Sequence, residues 1–445
     1  MRRAVLIPLS LALLAACADQ TTLPGPLPPP DGLRASASAD AAGGALFVSE
    51  PQVLAWNEGG MMFGQNLPLP DLGGGRVVWQ DASSGSATVL AVDVETGARE
   101  THGSVSGNFA YPATAGRWTV WSGQSGTLYL RDGTTGDVRT IGTGAGYTAH
   151  VSPQGRVAFL EFGAGVGNVA VYDAATGATR ILTHYTNESG EAARDVDVDG
   201  GVVAWSSFTT RSPYTTAIRM MDLATGQERE IVHVNSQAIE PPSVSDGRIV
   251  WSDDRSGNYD VYLYDVAAGT QRAVTTNPAG QFNARISGDL IVWEDTRNTT
   301  SHYLPENDLY LYDLASGAEL PVATGDDHQG WPRIDGNRVV WTERANERWE
   351  IRTATVQRAT LESVSAAIGG MLASGGIANR GTAEALGAFI AQAARARDAG
   401  DAAGERGALE RFTQHVRSLD GTQITPSAAA SLTRMADALL RALGG

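Results

Sequence analysis

Two short segments carry carboxylates in a pattern that could bind a divalent cation. The two clusters are Asp253, Asp254 and Asp260, and Glu294, Asp295 and Asp308. Closely spaced carboxylate oxygens suit hard cations. An arginine follows two residues after an aspartate in each segment, so ion pairs Asp253–Arg255 and Asp295–Arg297 that stiffen exposed loops are the favoured interpretation. The sequence therefore predicts neither a metal ligand nor a cofactor.

A third acidic stretch, Asp195 to Gly200, alternates aspartate with valine and glycine as calcium loops do. Ser206 occupies the twelfth position, where an EF-hand needs a bidentate glutamate. The stretch also falls in a repeated slot that elsewhere holds Arg285 to Gly288 and Arg333 to Gly336. The prediction is therefore a strand and a turn.

Motifs for covalent or metal-assisted hydrolysis are absent from the sequence. There is no Gly-x-Ser-x-Gly elbow followed by an acid and a histidine, and there is no His-Glu-x-x-His zinc motif. The glycine-rich run Gly142 to Gly146 lacks the strand-to-helix context of a phosphate loop. No catalytic residue is predicted.

A β-branched run that ends in an aromatic residue recurs seven times. These aromatic anchors are Trp79, Trp121, Phe159, Trp205, Trp251, Trp293 and Trp341. A glycine four or five residues before each anchor marks a tight turn into the strand. After the first six anchors, a second apolar strand ends in an aspartate with a glycine four residues later. Those pairs are Asp93/Gly97, Asp132/Gly136, Asp173/Gly177, Asp222/Gly226, Asp265/Gly269 and Asp313/Gly317.

Four strands in each unit of about forty residues predict a β-propeller in a mainly β chain. Seven blades are expected, with six or eight as alternatives because the segment around Trp56 is ambiguous. The seventh unit lacks its Asp-to-Gly turn, so a strand from Leu46 to Glu50 is expected to complete it and close the ring.

Residues Ser252 to Asp265 read Ser-Asp-Asp-Arg-Ser-Gly-Asn-Tyr-Asp-Val-Tyr-Leu-Tyr-Asp, and Ser152 to Arg156 read Ser-Pro-Gln-Gly-Arg. The first segment resembles the TolB-type propeller repeat, and the second resembles the Ser-Pro-Asp-Gly turn of that family. The resemblance covers roughly residues 46–357 and implies a propeller and an envelope location. The chain lacks the N-terminal α/β domain of TolB, so membership of the Tol-Pal machine is not implied.

After Gln357 the apolar period changes from two to about 3.6, which predicts a small helical bundle. Thr425-Pro426 is a helix start. The stretch Gly376 to Gly381, together with Leu386, Phe412 and Ile424-Thr425-Pro426, resembles the FIMAH domain, a helical module of secreted bacterial proteins. That resemblance implies no chemistry.

The N-terminus carries the pattern of a lipoprotein leader. Two arginines precede an apolar run that ends at Leu14-Ala15-Ala16-Cys17, and Cys17 is the sole cysteine of the chain. The predicted organisation is a signal peptide with lipobox at 1–17, a flexible Pro/Ala/Ser tether at 18–44, a propeller at 45–357 and the helical domain at 358–445. Lipidation of Cys17 predicts an exported protein anchored to the cell envelope, at the periplasmic face of the outer membrane or at the cell surface.

The 33 basic residues, all arginine, are outnumbered by 49 acids, which gives a net charge of -16. This sign argues against nucleic acid as a partner, because duplex binding depends on neutralising phosphates.

Loops after the anchors and links between blades should share one end of the ring, and they carry aromatic and histidine side chains suited to recognition. The predicted binding face comprises His184, Tyr185, Tyr214, His302, Tyr303, Asp327, His328 and Trp331. The favoured function is a non-catalytic scaffold that binds an envelope protein or polysaccharide. The alternative is a hydrolase or lyase with a metal-assisted site at the channel mouth.

Overall fold

The computed structural model describes residues 44–57, 69–82, 86–107, 109–123, 126–143, 145–162, 165–235, 238–299, 306–325, 327–345 and 348–444. Cys17, most of the tether, His302 and Tyr303 lie outside these residues. Within them, no helix is long and apolar enough to cross a membrane.

Twenty-nine strands form seven antiparallel sheets, each one blade of a propeller. Two N-terminal strands are β1 Ala45–Val48 and β2 Gln52–Asn57. Blades 1 to 3 contain β3 Asp71–Gly73, β4 Arg76–Asp81, β5 Ser86–Asp93, β6 Arg99–Ser106, β7 Ala113–Ala115, β8 Trp118–Ser122, β9 Leu128–Asp132, β10 Val138–Gly142, β11 Ala145–Val151, β12 Arg156–Glu161, β13 Asn168–Asp173 and β14 Ala178–Ile181.

Blades 4 and 5 contain β15 Glu191–Asp199, β16 Val202–Thr209, β17 Thr216–Asp222, β18 Glu228–Val234, β19 Ser243–Ser245, β20 Arg248–Asp253, β21 Asp260–Asp265 and β22 Thr270–Ala273. Blades 6 and 7 contain β23 Gln281–Ser287, β24 Leu290–Asp295, β25 Asp308–Asp313, β26 Ala318–Ala323, β27 Gln329–Asp335, β28 Arg338–Ala345 and β29 Arg348–Ala359. The predicted seven-bladed fold is confirmed.

The first strand of each blade is the innermost, and these strands contact one another around the whole ring. Contacts run from β3 through β7, β11, β15, β19 and β23 to β27, which contacts β3 again. The ring is therefore closed around a central channel.

The N-terminal segment completes blade 7, as expected. The long strand β29 pairs with β1 at its C-terminal half and with β2 at its N-terminal half. Trp56 therefore belongs to a fifth strand of blade 7 and not to an eighth blade. Because strands from the two ends of the propeller sequence pair in blade 7, the edge of β29 is not left unpaired where the ring closes.

Each predicted Asp-to-Gly turn forms in the way the sequence suggests. In blade 1, Asp93 Oδ1 accepts the backbone N–H of Thr96 at 2.8 Å, and Gly97, with φ of 70°, closes the hairpin. Glycine tolerates this left-handed conformation without a Cβ clash. These hydrogen bonds also lower the pKa of Asp93.

The anchors form the cores between neighbouring blades. Trp205, Trp251, Trp293 and Trp341 have no exposed surface, and each packs against apolar residues of an adjacent blade. Successive side chains of a strand point to opposite faces of the sheet. A neighbouring blade covers each face, so apolar side chains on both faces are buried, except at the edges of the blade.

The C-terminal part is a four-helix bundle, with α1 Leu361–Ala373, α2 Arg380–Asp398, α3 Ala402–Leu419 and α4 Pro426–Ala442. Thr425 caps α4 and Pro426 stands in its first turn, as expected. Strand β1 joins the two parts: Ala45 and Phe47 belong to the bundle core, whereas Leu46 belongs to the core of blades 6 and 7.

Candidate functional site

The antiparallel order of each blade sorts its connections onto two ends of the ring. Turns between the first and second strands, and between the third and fourth, share one end. Loops between the second and third strands, and the links to the next blade, share the other end, which we call the loop face.

Three groups of half-buried aromatic rings lie on the loop face close to the innermost strands. Their ring centroids are 5.5 Å apart in Phe109–Tyr111, 4.7 Å apart in Tyr259–Phe282, and between 5.5 and 6.1 Å apart in the trio His328, Trp331 and Trp349. We call these seven residues the aromatic rim. Half-buried rings combine large contact area with few rotatable bonds, which suits ligand recognition.

A strained backbone orients part of the aromatic rim. Trp331 and Asn283 occupy equivalent positions in blades 7 and 6, and both have φ of 51°. Glu294 holds both, because its Oε1 accepts the Trp331 backbone N–H at 2.7 Å and Asn283 Nδ2 at 2.8 Å. Asn adopts positive φ more readily than most residues, whereas a positive φ at a bulky residue such as Trp331 persists only where neighbouring groups enforce it.

The structure brings together only part of the predicted binding face. His328 and Trp331 are in contact, and Asp327 is exposed beside them. His184 is exposed, and Tyr214 is 53% exposed on a different loop.

Tyr185 is half-buried and packs on the core between blades 3 and 4, where its hydroxyl accepts a hydrogen bond from Trp205 Nε1 at 3.4 Å. Burial raises the pKa of Tyr185. Tyr185 therefore contributes mainly to packing beneath the loop face, and little of its ring is available to contact a ligand.

The aspartate of each acidic cluster that follows the anchor is a buried hydrogen-bond acceptor for the anchor tryptophan and a nearby arginine, an arrangement that we call a strut. Asp253 and Asp295 have no exposed surface. Asp295 accepts hydrogen bonds from Trp293 Nε1 at 3.0 Å and from Arg297 at Nε, Nη2 and the backbone N–H. Asp253 is bound by Trp251 and Arg255 in the same way. The predicted ion pairs exist, and each aspartate also accepts a backbone N–H of the loop that follows it. The loop residues Arg255 to Gly257 are exposed, whereas the aspartates themselves are buried.

The other acids of these clusters also have protein donors. Asp260 accepts from Ser256 and Thr275, and Asp308 accepts from Asn298 Nδ2 at 2.6 Å. Among the described residues, no group of three or more His, Cys, Asp or Glu side chains is placed to hold a metal ion.

One position of the innermost strand carries charge in most blades. It pairs with the residue just before the anchor, and from blade 1 to blade 7 it is Asp71, Ala113, His150, Asp197, Ser243, Arg285 and Arg333. We call this set the channel ring.

The two aspartates of the channel ring each link three blades. Asp71 Oδ2 accepts the Thr114 backbone N–H of blade 2 at 2.7 Å, and its Oδ1 lies 3.2 Å from Arg333 Nε of blade 7. Asp197 Oδ2 accepts the Val244 backbone N–H at 2.8 Å, and its Oδ1 lies 3.5 Å from His150 Nδ1. Both carboxylates are therefore committed to holding the ring together.

Arg285 differs from Arg333, the other arginine of the channel ring. Its Nη1 donates to the carbonyl oxygens of Ala284 at 2.9 Å and Pro241 at 3.4 Å. No described carboxylate lies within ion-pair distance of it, and its neighbour in the ring is Arg333. Burial, and secondly the charge of Arg333, lower the pKa of Arg285 to about 10.

Two further groups on the loop face, Glu240 and Tyr259, have shifted pKa values. Burial raises the pKa of the Glu240 carboxyl, and the negative charge of Glu294 adds to this effect. Burial raises the pKa of Tyr259 to about 12, with Glu240 as the next cause. Glu240 lies close enough to Arg285 for the two charges to interact, although no described carboxylate reaches ion-pair distance of Arg285.

Sequence reasoning missed Trp349, Glu240 and the role of Arg285. A charged residue eight positions before the anchor in blades 1, 4, 6 and 7 was a signal for the channel ring. In blade 3 the same count gives Val151, whereas the strand register places His150 there.

Residues 361–441 match the FIMAH domain. The protein is thus a β-propeller carrying a C-terminal helical module. More specifically, it is a seven-bladed propeller of four-stranded blades followed by a FIMAH domain, which confirms the helical resemblance seen in the sequence.

The propeller is similar to the propeller domain of the Trilobed protease from Pyrococcus furiosus, with a TM-score of 0.50 and 12% identity over 66% of this chain and 97% of that one. Oligogalacturonate lyase from Vibrio parahaemolyticus gives 0.46 and 11% over 70% and 98%. TolB from Acinetobacter baumannii gives 0.37 and 13% over 63% and 79%. These identities establish a shared fold alone. No curated protein matches the sequence.

Proposed function

We propose that this protein is an exported, lipid-anchored envelope protein whose propeller binds an envelope protein or polysaccharide at its loop face without catalysing a reaction. The observation that carries the proposal is the aromatic rim. Seven half-buried rings around one end of the channel offer apolar area with polar groups between them, which is the composition of a recognition surface.

The state of the acids supports a binding role over catalysis. A general acid or base must come within hydrogen-bond distance of the substrate proton that it transfers. Asp253 and Asp295 are bidentate partners of arginines, and Glu294 accepts hydrogen bonds from Asn283, Asn307 and Trp331. These oxygens are occupied by the donors that maintain the loops.

The test of the binding face uses the double variant Trp331→Ala/Trp349→Ala. Full-length protein in detergent is applied to a bacterial glycan array and to envelope extract. Each ligand detected is then titrated against both proteins. We expect the double variant to bind at least about 30-fold more weakly, because central aromatic residues dominate interface energy.

The matched control is Val138→Ala, which removes an exposed apolar side chain from the outer strand β10 of blade 2. This control should bind as the wild type does. Equal affinity of the double variant and the wild type, at unchanged melting temperature, would exclude the aromatic rim as the binding surface.

The lipid anchor is tested with Cys17→Ser. The wild type should incorporate an alkyne-labelled palmitate and sediment with membranes, whereas the variant should do neither, because the diacylglyceryl group that carries the acyl chains is attached to the cysteine sulfur. Ala18→Ser, which keeps the cysteine, should behave as the wild type. Membrane sedimentation of the Cys17→Ser protein would contradict the anchor.

A further inference from the structure

We propose that Arg285 forms an oxyanion-binding site inside the central channel, and that its ligand is the carboxylate of an acidic sugar whose ring packs on the aromatic rim. The inference rests on the proposed binding function of the loop face and specifies its ligand class.

The first step concerns the free edge of the guanidinium. An arginine has five N–H donors in a planar fork. Arg285 Nη1 donates hydrogen bonds to the carbonyl oxygens of Ala284 and Pro241. Its Nε and Nη2, which carry the other three donors, make no hydrogen bond to any described residue. This edge has the geometry that binds a carboxylate through two parallel hydrogen bonds.

The second step concerns charge. The carboxylates of the channel ring are committed elsewhere, Asp71 to Arg333 and Thr114, and Asp197 to His150 and Val244. Arg285 instead has Ser243 on one side and Arg333 on the other. The charges of Asp197, Glu240 and Asp71 favour its charged form but do not reach ion-pair distance, and they do not offset burial and Arg333. A largely desolvated cation beside a second cation is unfavourable unless an anion accompanies it, so a bound oxyanion would relieve a cost present in the free protein.

The third step concerns what carries the oxyanion. Phe282 lies three residues before Arg285 on β23, and Trp331 lies two residues before Arg333 on β27. At the rise of a strand, the Cα atoms of Phe282 and Trp331 lie roughly 7–10 Å along the channel from those of Arg285 and Arg333, with a register shift in each interval. A sugar ring spans this distance together with its carboxylate. Aromatic faces pack on the apolar face of such a ring, which favours an acidic sugar over an isolated inorganic anion.

The experiment titrates full-length protein with sodium glucuronate, methyl glucoside and inorganic phosphate, and with a tetrasaccharide that contains glucuronate. Binding is followed by ligand-observed NMR and calorimetry. We expect both glucuronate ligands to bind the wild type more tightly than methyl glucoside or phosphate does. Arg285→Gln should weaken them about 10- to 100-fold, the range expected for losing charged hydrogen bonds.

Arg272→Gln is the matched control, because it removes an arginine from the exposed outer strand β22. Arg285→Lys keeps the charge but loses the fork, so its affinity should lie between the wild type and Arg285→Gln. The melting temperature of Arg285→Gln should equal or exceed that of the wild type, since the variant removes a desolvated charge. A loss of stability would indicate a structural role and overturn the assignment.

The remaining outcomes separate this inference from the broader proposal. Equal binding of acidic and neutral sugars, abolished by Trp331→Ala but unaffected by Arg285→Gln, would overturn the oxyanion site and leave the binding face intact. Phosphate binding as tightly as glucuronate would overturn the acidic sugar as ligand. If no sugar binds, but other ligands bind the wild type and fail to bind Trp331→Ala, the acidic sugar is rejected as the ligand and the loop face is still supported as the binding surface.

Discussion

Blades 5 to 7 and blade 2 use the same tryptophan anchor but satisfy its indole N–H differently. Trp251, Trp293 and Trp341 each donate to an acid two residues later in the chain. In blade 2, Trp121 Nε1 is buried and makes no hydrogen bond to a described residue. The large anchor ring is therefore common to these blades, whereas the acid that accepts its indole N–H is present in blades 5 to 7 and not in blade 2.

The polar atoms near Trp121 extend this contrast. His102 on β6 is buried at the boundary between blades 1 and 2, and neither ring nitrogen makes a hydrogen bond to a described residue. Glu100 Oε2 lies 3.5 Å from His102 Nε2. In blades 5 and 6 the buried carboxylates Asp253 and Asp295 are hydrogen-bonded. At the boundary of blades 1 and 2, the buried nitrogens of Trp121 and His102 make no hydrogen bond to a described residue. Burial of polar groups is tolerated in both regions but at different cost.

The largest expected effect comes from breaking the strut of blade 6. Asp295→Ala leaves Trp293 Nε1 and Arg297 without their buried acceptor, and we expect it to lower the free energy of unfolding by about 4 kcal/mol. Urea denaturation followed by tryptophan fluorescence measures the change. Asp137→Ala, in an exposed turn of blade 2, should stay within about 0.5 kcal/mol of the wild type. An equally small effect at Asp295 would show that the strut adds no stability.

The second effect is a pH dependence at the boundary of blades 1 and 2. Burial lowers the pKa of His102 from 6.5 to about 4. Between these values the unfolded chain binds a proton that the folded chain does not, so stability falls as the pH falls, by about 3 kcal/mol in total. Denaturation at pH 7 and pH 4.5 should show the loss in the wild type, and His102→Gln should remove most of it. His233→Gln, at an exposed histidine, is the control; loss of the pH dependence in that variant instead would contradict the assignment.

The smallest effect compares the anchors directly. Trp293→Phe and Trp121→Phe remove similar volume from similar cores, but only the first breaks a hydrogen bond to a buried carboxylate. We expect Trp293→Phe to cost about 2 kcal/mol more in unfolding free energy than Trp121→Phe. Equal costs would mean that the indole N–H of blade 6 contributes nothing measurable.

Much of the architecture is predictable because it is repeated in the sequence. The seven anchors, the Asp-to-Gly turns and the closing strand near Leu46 are local patterns, and strand period and turn chemistry determine each of them. The four helices follow from a change of period and from caps such as Thr425-Pro426.

The candidate site is less predictable because it depends on register and on neighbouring blades. Tyr185 and Trp331 look alike as loop aromatics, yet one packs on a core and the other joins His328 and Trp349 at the channel. Position along the chain does not reveal which side of a blade a loop residue packs against.

The sequence by itself determined the propeller, its blade pattern and the helical domain, because these arise from contacts within about forty residues. Tertiary structure decided that Phe47 belongs to the helical core while Leu46 belongs to the propeller. It also decided that Asp71 reaches Arg333 across the closure and that Arg285 has no carboxylate partner among the described residues. Charges meet across the channel only when the ring closes, and electrostatic interactions depend on distance in space and not on separation in sequence.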